Sequence, residues 1–426
     1  GNLVRIQIKQ GIALTVIPVS QFKNTQISVH FLENATKQQT SYRSLLANIL
    51  ETSSKKYVTQ ILVSQALSKL YGAGFGTTVM RKQNIHDLTF SLSLPNDHFL
   101  NSSEDLLSEG IQFLQEMIFN PLAKDGNFDD QTFQRQQANL IAYIKALRDD
   151  KQSYAALQLQ KLVFNEDEVQ RVPAFGDVES LAKIENHELY DYYQSVLAQD
   201  RVEIYVAGNV NAEQVADQIR QWPLAERTSN LVGLTTIKQP MRTFQTRSEN
   251  QDVVQAKLDL AYQFPTDFRN KDYYAGIVFN ALFGGSPLSK LFMNVREKAS
   301  LAYYANSSVD VFNGLMVVQA GINAKDKEKV LTIIAEQLTD MQNGEFSDEQ
   351  LGQIKKGLVS NYVSSLDLER VYASRELTND LVGSQVSAED WEEQIQKVSR
   401  EAIMKVAKQV SLQAVYFLSS GVKIHA

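Results

Sequence analysis

The run Gly284-Gly285-Ser286-Pro287-Leu288-Ser289-Lys290-Leu291-Phe292 ends in a segment with a counterpart far upstream, Leu67-Ser68-Lys69-Leu70-Tyr71. Each copy leads through a turn rich in Gly or Ala into a β-rich run. These runs, Leu88 to Leu94 and Leu315 to Ala320, read as strands by alternation or β-branched content. An amphipathic helix follows each. Leu106, Leu107, Ile111, Leu114 and Met117 form one apolar stripe, and Val330, Leu331, Ile334, Leu338 and Met341 form the other. Further on, Asn127-Phe128-Asp129-Asp130-Gln131 opens a helical segment that runs to Tyr154-Ala155. Glu345-Phe346-Ser347-Asp348-Glu349 opens its twin, which runs to Tyr372-Ala373; one spacing relates Phe128 to Phe346 and Tyr154 to Tyr372. Each half closes with a helix and a strand, Glu188 to Leu197 before Val202 to Val206, and Glu401 to Val410 before Ala414 to Leu418.

Self-similarity on this scale means one folding unit laid down twice. The expected fold class is α+β: two duplicated domains, each with long helices packed on one face of a mostly antiparallel sheet. The first copy opens with a hairpin signal, Val4 to Gln10, Gly11, then Ile12 to Pro18. Residues 1–224 form the expected first domain and 249–426 the second. The linker is placed at 225–248, where Ala225 to Pro240 is polar and lacks periodicity.

With 426 residues, 43% hydrophobic and 21% charged, the chain has an ordinary globular composition and can bury two cores. Its net charge of -7 comes from interspersed acids and bases, with no basic stripe to neutralise phosphates, so no nucleic-acid partner is expected. The count of cysteines is 0, which excludes disulfides, thiolate metal sites and cysteine nucleophiles and fits a cytoplasmic setting. No apolar run approaches the roughly 18 residues of a membrane span, and no leader pattern opens the chain, so no membrane partner is expected.

Past Phe292 the sequence continues Val295-Arg296-Glu297-Lys298-Ala299-Ser300-Leu301-Ala302-Tyr303-Tyr304. From Gly284 onward this resembles the substrate-binding motif of the pitrilysin/insulinase zinc peptidases. That family carries an Arg and a Tyr seven residues apart, in a run read as Arg-Glu-Lys-x-x-Leu-Ala/Gly-Tyr. The resemblance covers nearly the whole chain and assigns substrate binding to Arg296 and Tyr303. A guanidinium and a phenol are strong donors for a peptide carbonyl. The family implies a clam-shell subunit of two duplicated α+β halves, whose exposed strand edge would pair with an extended peptide.

The metal half of the signature is missing. An inverted zinc motif needs His-x-x-Glu-His on a helix, so that both imidazoles share a face beside the base. No two of His30, His86, His98, His187 and His425 are four apart. Counting back from Ser54-Lys55-Lys56-Tyr57, which resembles the segment after the family's motif, the five positions fall on Ser44-Leu45-Leu46-Ala47-Asn48. Ser44, Ala47 and Asn48 thus stand where the two ligands and the base belong. The third ligand, a Glu in the family, would fall near Ala142 or Tyr143. His30-Phe31-Leu32-Glu33-Asn34 imitates the motif, but it lies on an alternating strand pattern that points His30 and Glu33 to opposite faces. No catalytic residue, metal or cofactor is therefore expected in this chain.

Other chemistry is weaker. Gly72-Ala73-Gly74-Phe75-Gly76-Thr77 follows a helix and enters a strand, the reverse of a nucleotide-binding loop, and reads as a turn. Gly284-Gly285 likewise reads as a helix-ending turn. His86, His98 and His187 lack a Glu or Asp at ligand spacing, no Gly-x-Ser-x-Gly elbow occurs, and Tyr190, Tyr192 and Tyr193 read as a packing face with wet hydroxyls. The resemblance then implies a non-catalytic subunit that binds the peptide substrate of a bacterial heterodimeric peptidase, with zinc and base supplied by a homologous, zinc-motif-bearing partner. The alternative is an inactive scaffold or peptide-binding protein of the same fold.

Overall fold

The computed structural model describes residues 3–19, 22–96, 105–234, 243–266, 269, 272–366, 369–383 and 386–421. His98, His425 and the end of the polar stretch at Pro240 lie outside them. In chain order the first half runs β1 (Val4–Lys9), β2 (Ile12–Pro18), β3 (Asn24–Asn34), α1 (Lys37–Leu50), α2 (Gln60–Lys69), β4 (Gly74–Lys82), β5 (Ile85–Pro95) and α3 (Leu106–Phe119). It continues with the short pair β6 (Ala123–Lys124) and β7 (Asn127–Phe128), then α4 (Asp130–Ala146), α5 (Lys151–Val163), α6 (Val178–Ala182), α7 (Asn186–Gln199), β8 (Arg201–Gly208) and α8 (Ala212–Ile219). The second half runs β9 (Gln245–Asn250), β10 (Ala256–Gln263), α9 (Asp272–Asn280), two π-helical segments (Ala281–Gly285 and Phe292–Lys298), β11 (Ala302–Asp310) and β12 (Leu315–Ile322). It ends with α10 (Lys327–Gln342), α11 (Asp348–Ser365), α12 (Glu369–Val382), α13 (Ala388–Lys397), α14 (Arg400–Gln409) and β13 (Ser411–Ser419).

The duplication appears directly in the sheets. One has the order β1-β2-β8-β3-β5-β4, the other β11-β12-β10-β13-β9. Read from the opposite end, the second matches the first strand for strand, and among the described residues only β1 lacks a twin. In each sheet one pair is parallel, β2 with β8 and β13 with β9, and the rest are antiparallel, as expected. On one face of each sheet the long helices bury an apolar core. Ile27, Val29, Phe31, Leu88, Phe90, Leu114 and Met117 lie in the first core, and Leu258, Leu260, Phe279, Phe283, Val318, Ile334 and Met341 in the second. Among the described residues no helix is long and apolar enough to cross a membrane.

The long helical segments expected through Tyr154 and Tyr372 each break in two, and the pieces part company. Residues 146–171, with α5, belong to the same compact unit as the second sheet, and residues 365–381, with most of α12, belong to the unit of the first. The two halves exchange a helix. The break before α5 is where Asp150 caps the new helix, its carboxylate accepting from the Ser153 amide at 3.2 Å.

Candidate functional site

Three of the sequence-derived positions sit on α1, in the first unit. This helix starts at Thr36, whose side chain accepts from the Gln39 amide, and packs Leu45, Leu46, Ile49 and Leu50 into the core. Ser44 and Ala47 are buried and Asn48 is half-buried; Thr77 of β4 donates to the Ala47 carbonyl at 2.5 Å. A hydroxyl, a methyl and an amide do not make a zinc donor set, and no carboxylate stands at Ala47 to act as base. Ala142 and Tyr143 on α4 are exposed, the Tyr143 ring resting edge-on against Phe175. The residues present at these positions do not fit zinc.

Beside Ser44 the helix commits its charge inward. Arg43 is fully buried, with Nε donating to His86 Nδ1 at 2.8 Å, Nη1 to Asp200 at 2.6 Å and Nη2 to the Phe31 carbonyl at 2.5 Å. His86 Nε2, 3.0 Å from the Ala174 carbonyl, is left to donate. Burial and the Arg43 charge push its pKa down to about 3, so it stays neutral, while burial pushes Asp200 up to about 6 against the pull of Arg43. These contacts tie α1 to β3, β5 and α7.

The two other described histidines are structural or exposed. His30 lies on β3 and not on a helix, as the alternation indicated; it is buried with Nδ1 2.8 Å from Asp87 Oδ2. His187 does have acidic neighbours: Glu185, His187 and Glu188 converge at the exposed start of α7, an arrangement common without an ion. Tyr193 corrects the expectation of wet hydroxyls, being fully buried and donating to the Ile118 carbonyl at 2.5 Å.

In the second unit Arg296 and Tyr303 occupy different surroundings. Helix α9 widens after Asn280 into a π-helical segment that ends at Gly285, so the two glycines close the helix as expected but lie within its π-helical last turn. Such segments are rare and recur at functional sites. A Cβ at Gly284 would meet Ser307 Oγ at 2.6 Å and Leu291 Cδ1 at 2.7 Å, so glycine permits the close approach to β11. Arg296 sits on the second π-helical segment with its guanidinium 4.7 Å from the centre of the Phe292 ring. It lines a pocket of about 400 Å³ with Gly284, Gly285, Ser286, Phe292, Tyr304 and Asn306.

Tyr303 is the odd residue of a β-bulge. Ala302 pairs with Ile322 and Tyr304 with Gly321, which leaves Tyr303 unpaired and 60% exposed. The pocket wall is Tyr304, which the motif did not single out. Its hydroxyl is buried without a hydrogen-bond partner, and burial, with Asp259 and Asp150 nearby, holds its pKa above the usual range. Only the bulge distinguishes the two tyrosines, and sequence spacing carries no signal of it.

Comparison with known proteins bears on the family and the fold. The family model described as the peptidase M16 inactive domain matches residues 183–358. A probable inactive metalloprotease, YmfF of Bacillus subtilis, is 32% identical over 412 residues, covering 96% of each chain. A conserved protein from Enterococcus faecalis has a crystal structure similar to this one at a TM-score of 0.93, with 38% identity and complete coverage of both chains. A chain of complex III2 from Candida albicans shares the fold at a TM-score of 0.75, with 14% identity over 100% of this chain and 98% of that one. The chain therefore belongs to the M16 peptidases, the pitrilysin/insulinase family, as one of its inactive members.

Proposed function

We propose that this chain is the substrate-binding, non-catalytic subunit of a split-site metallopeptidase acting on peptides in the bacterial cytoplasm. A homologous subunit with an intact His-x-x-Glu-His motif supplies zinc and general base. One observation carries the reading: the two copies of the domain have diverged in what they offer a ligand. Positions 44, 47 and 48 on α1 hold no metal donor set, whereas Arg296 in the other copy presents a guanidinium at an open pocket. Loss of one function with retention of the other is what division of labour between two subunits predicts.

The test is cleavage of a quenched, unstructured peptide by this chain, by its zinc-motif-bearing relative, and by the mixture, each with and without chelator. Chelator-sensitive turnover in the mixture alone is expected. Arg296→Ala with Tyr303→Phe then lowers turnover by about 10- to 10²-fold, the cost of losing charge-assisted donors that hold the peptide, and leaves the complex intact by sedimentation. Unchanged turnover sinks the assignment. A second reading, a structural scaffold, draws support from the likeness to the complex III2 chain and predicts silence in every mixture.

A further inference from the structure

The Arg296 pocket is also informative about the substrate. Building on the peptide-binding role proposed for Arg296, we infer that this pocket takes a carboxylate, presented by the end of a peptide chain or by an acidic side chain. Among the described residues the Arg296 guanidinium has no hydrogen bond and no carboxylate within 4.0 Å, and its neighbour is the Phe292 ring face. The walls are glycine, serine, proline, phenylalanine, tyrosine, alanine and asparagine, so the pocket carries a positive charge with no counter-charge of its own.

Geometry narrows what fits. A guanidinium held against an aromatic ring keeps its planar fork free at the edge, and a carboxylate offers two oxygens to that fork. A peptide carbonyl would use one N–H and leave the charge unbalanced. Two of the other potential donors are spent: Ser286 Oγ donates to the Ala281 carbonyl at 2.9 Å, and Ser307 Oγ donates to Asn280 Oδ1 at 2.6 Å, whereas the buried Tyr304 hydroxyl is unpartnered and can add one neutral donor. Arg296 and the exposed Asn306 amide remain as side-chain donors at the rim. Gly284 and Gly285 keep the opposite wall free of side chains, and about 400 Å³ accommodates one or two residues of a peptide. One guanidinium balances the single charge of a carboxylate.

The experiment uses four labelled peptides of one sequence, titrated against the full chain by fluorescence anisotropy. One has a free terminal carboxylate, one a terminal amide, one an amide with an internal Glu, and one an amide with Gln in its place. At least one carboxylate peptide should bind about ten-fold or more tighter than its neutral twin, and that gap should close in Arg296→Gln. The arm that shows the gap identifies the source of the carboxylate. Equal, measurable binding of all four overturns the carboxylate inference and leaves peptide binding standing. A gap that persists in Arg296→Gln places the carboxylate elsewhere and overturns the inference too. Failure of all four to bind removes the peptide-binding reading and this inference with it.

Discussion

Helix α5 covers the five-stranded sheet with Ala155, Leu159 and Val163 packed on Ala261, Leu315, Ala414 and Leu418, whereas α12, with Ala373 and Leu377 buried, also meets the six-stranded sheet through polar groups. On that side Asp380 accepts from the Tyr205 hydroxyl at 2.7 Å and from Arg5 at 3.1 Å, and Lys82 donates to Thr378 at 2.8 Å. Beneath them Glu203 is saturated by Arg5 and Arg201, and Asp87 by His30 and Thr89. The same exchange of helices thus leans on apolar burial in one copy, with Tyr154 donating to Glu249 at 2.9 Å beside it, and adds paired charges to the buried Ala373, Leu377 and Leu381 in the other. A duplicated fold conserves the topology of a contact more strictly than its chemistry. A missing partner is costly on a buried polar face, and the sheet under α12 supplies one for each of these carboxylates.

The sharpest way to break the comparison is to thin the dry side. Leu159 is 2% exposed in the α5 cluster, so Leu159→Ala leaves a cavity that α5 and β13 cannot close, and should cost about 3–5 kcal/mol by denaturant titration. Added salt should leave that loss unchanged, because no charge is involved. A loss under about 1 kcal/mol would mean that α5 is not held by burial.

Two buried carboxylates separate the copies by pH. Asp259, on β10, is 1% exposed with Oδ2 unpartnered, and burial pushes its pKa up to about 7. Folded, it keeps its proton to that pH; unfolded, it ionises near 4. Stability should therefore fall as pH rises from about 4 to 7, by on the order of 3 kcal/mol, and Asp259→Asn should flatten the slope. Asp87 carries the opposite sign. Burial would raise its pKa, but His30, Thr89 and Lys82 hold it below the usual value. Its contribution is complete above about 4 and is lost as pH falls further. Melting temperature against pH for wild type, Asp259→Asn and Asp87→Asn separates the two, and an unchanged slope in Asp259→Asn would refute the first assignment.

Most elements in this comparison were legible as local patterns. The strands around Phe90 and Val318, the stripes of α3 and α10, and the hairpin from Val4 to Pro18 all follow from alternation or helical spacing, which side chains impose within a few residues. The destinations of α5 and α12 were not legible. An amphipathic helix specifies that it needs an apolar neighbour but not which sheet provides it, and the turn at Asp149-Asp150 marks a break without a direction. The site divides the same way. That Ser44, Ala47 and Asn48 offer no zinc donor set follows from residue type once the resemblance fixes the register. The role of Tyr304 as the pocket wall depends on a bulge at Tyr303 and on π-helical widening after Asn280, where Gly284 comes close to Ser307, and no local pattern encodes either.

The smallest expected effect tests how much of the polar side is charge. Asp380→Ala removes both the Tyr205 hydrogen bond and the Arg5 pair, but Arg5 retains Glu203 at 3.0 Å, so the loss should be about 1–2 kcal/mol. Asp380→Asn keeps an acceptor for the Tyr205 hydroxyl and deletes only the charge. If the hydrogen bond dominates, Asp380→Asn lies near wild type and Tyr205→Phe reproduces most of the alanine loss. Raising ionic strength should then narrow the small gap between wild type and Asp380→Asn, since Arg5 is 44% exposed and its pairing is screened. A salt-insensitive Asp380→Asn loss as large as that of Asp380→Ala would put the charge, desolvated beneath α12, in control instead. The polar cover would then be an ion-pair clamp, and its contrast with the aliphatic cover under α5 would be wider than hydrogen bonding alone makes it.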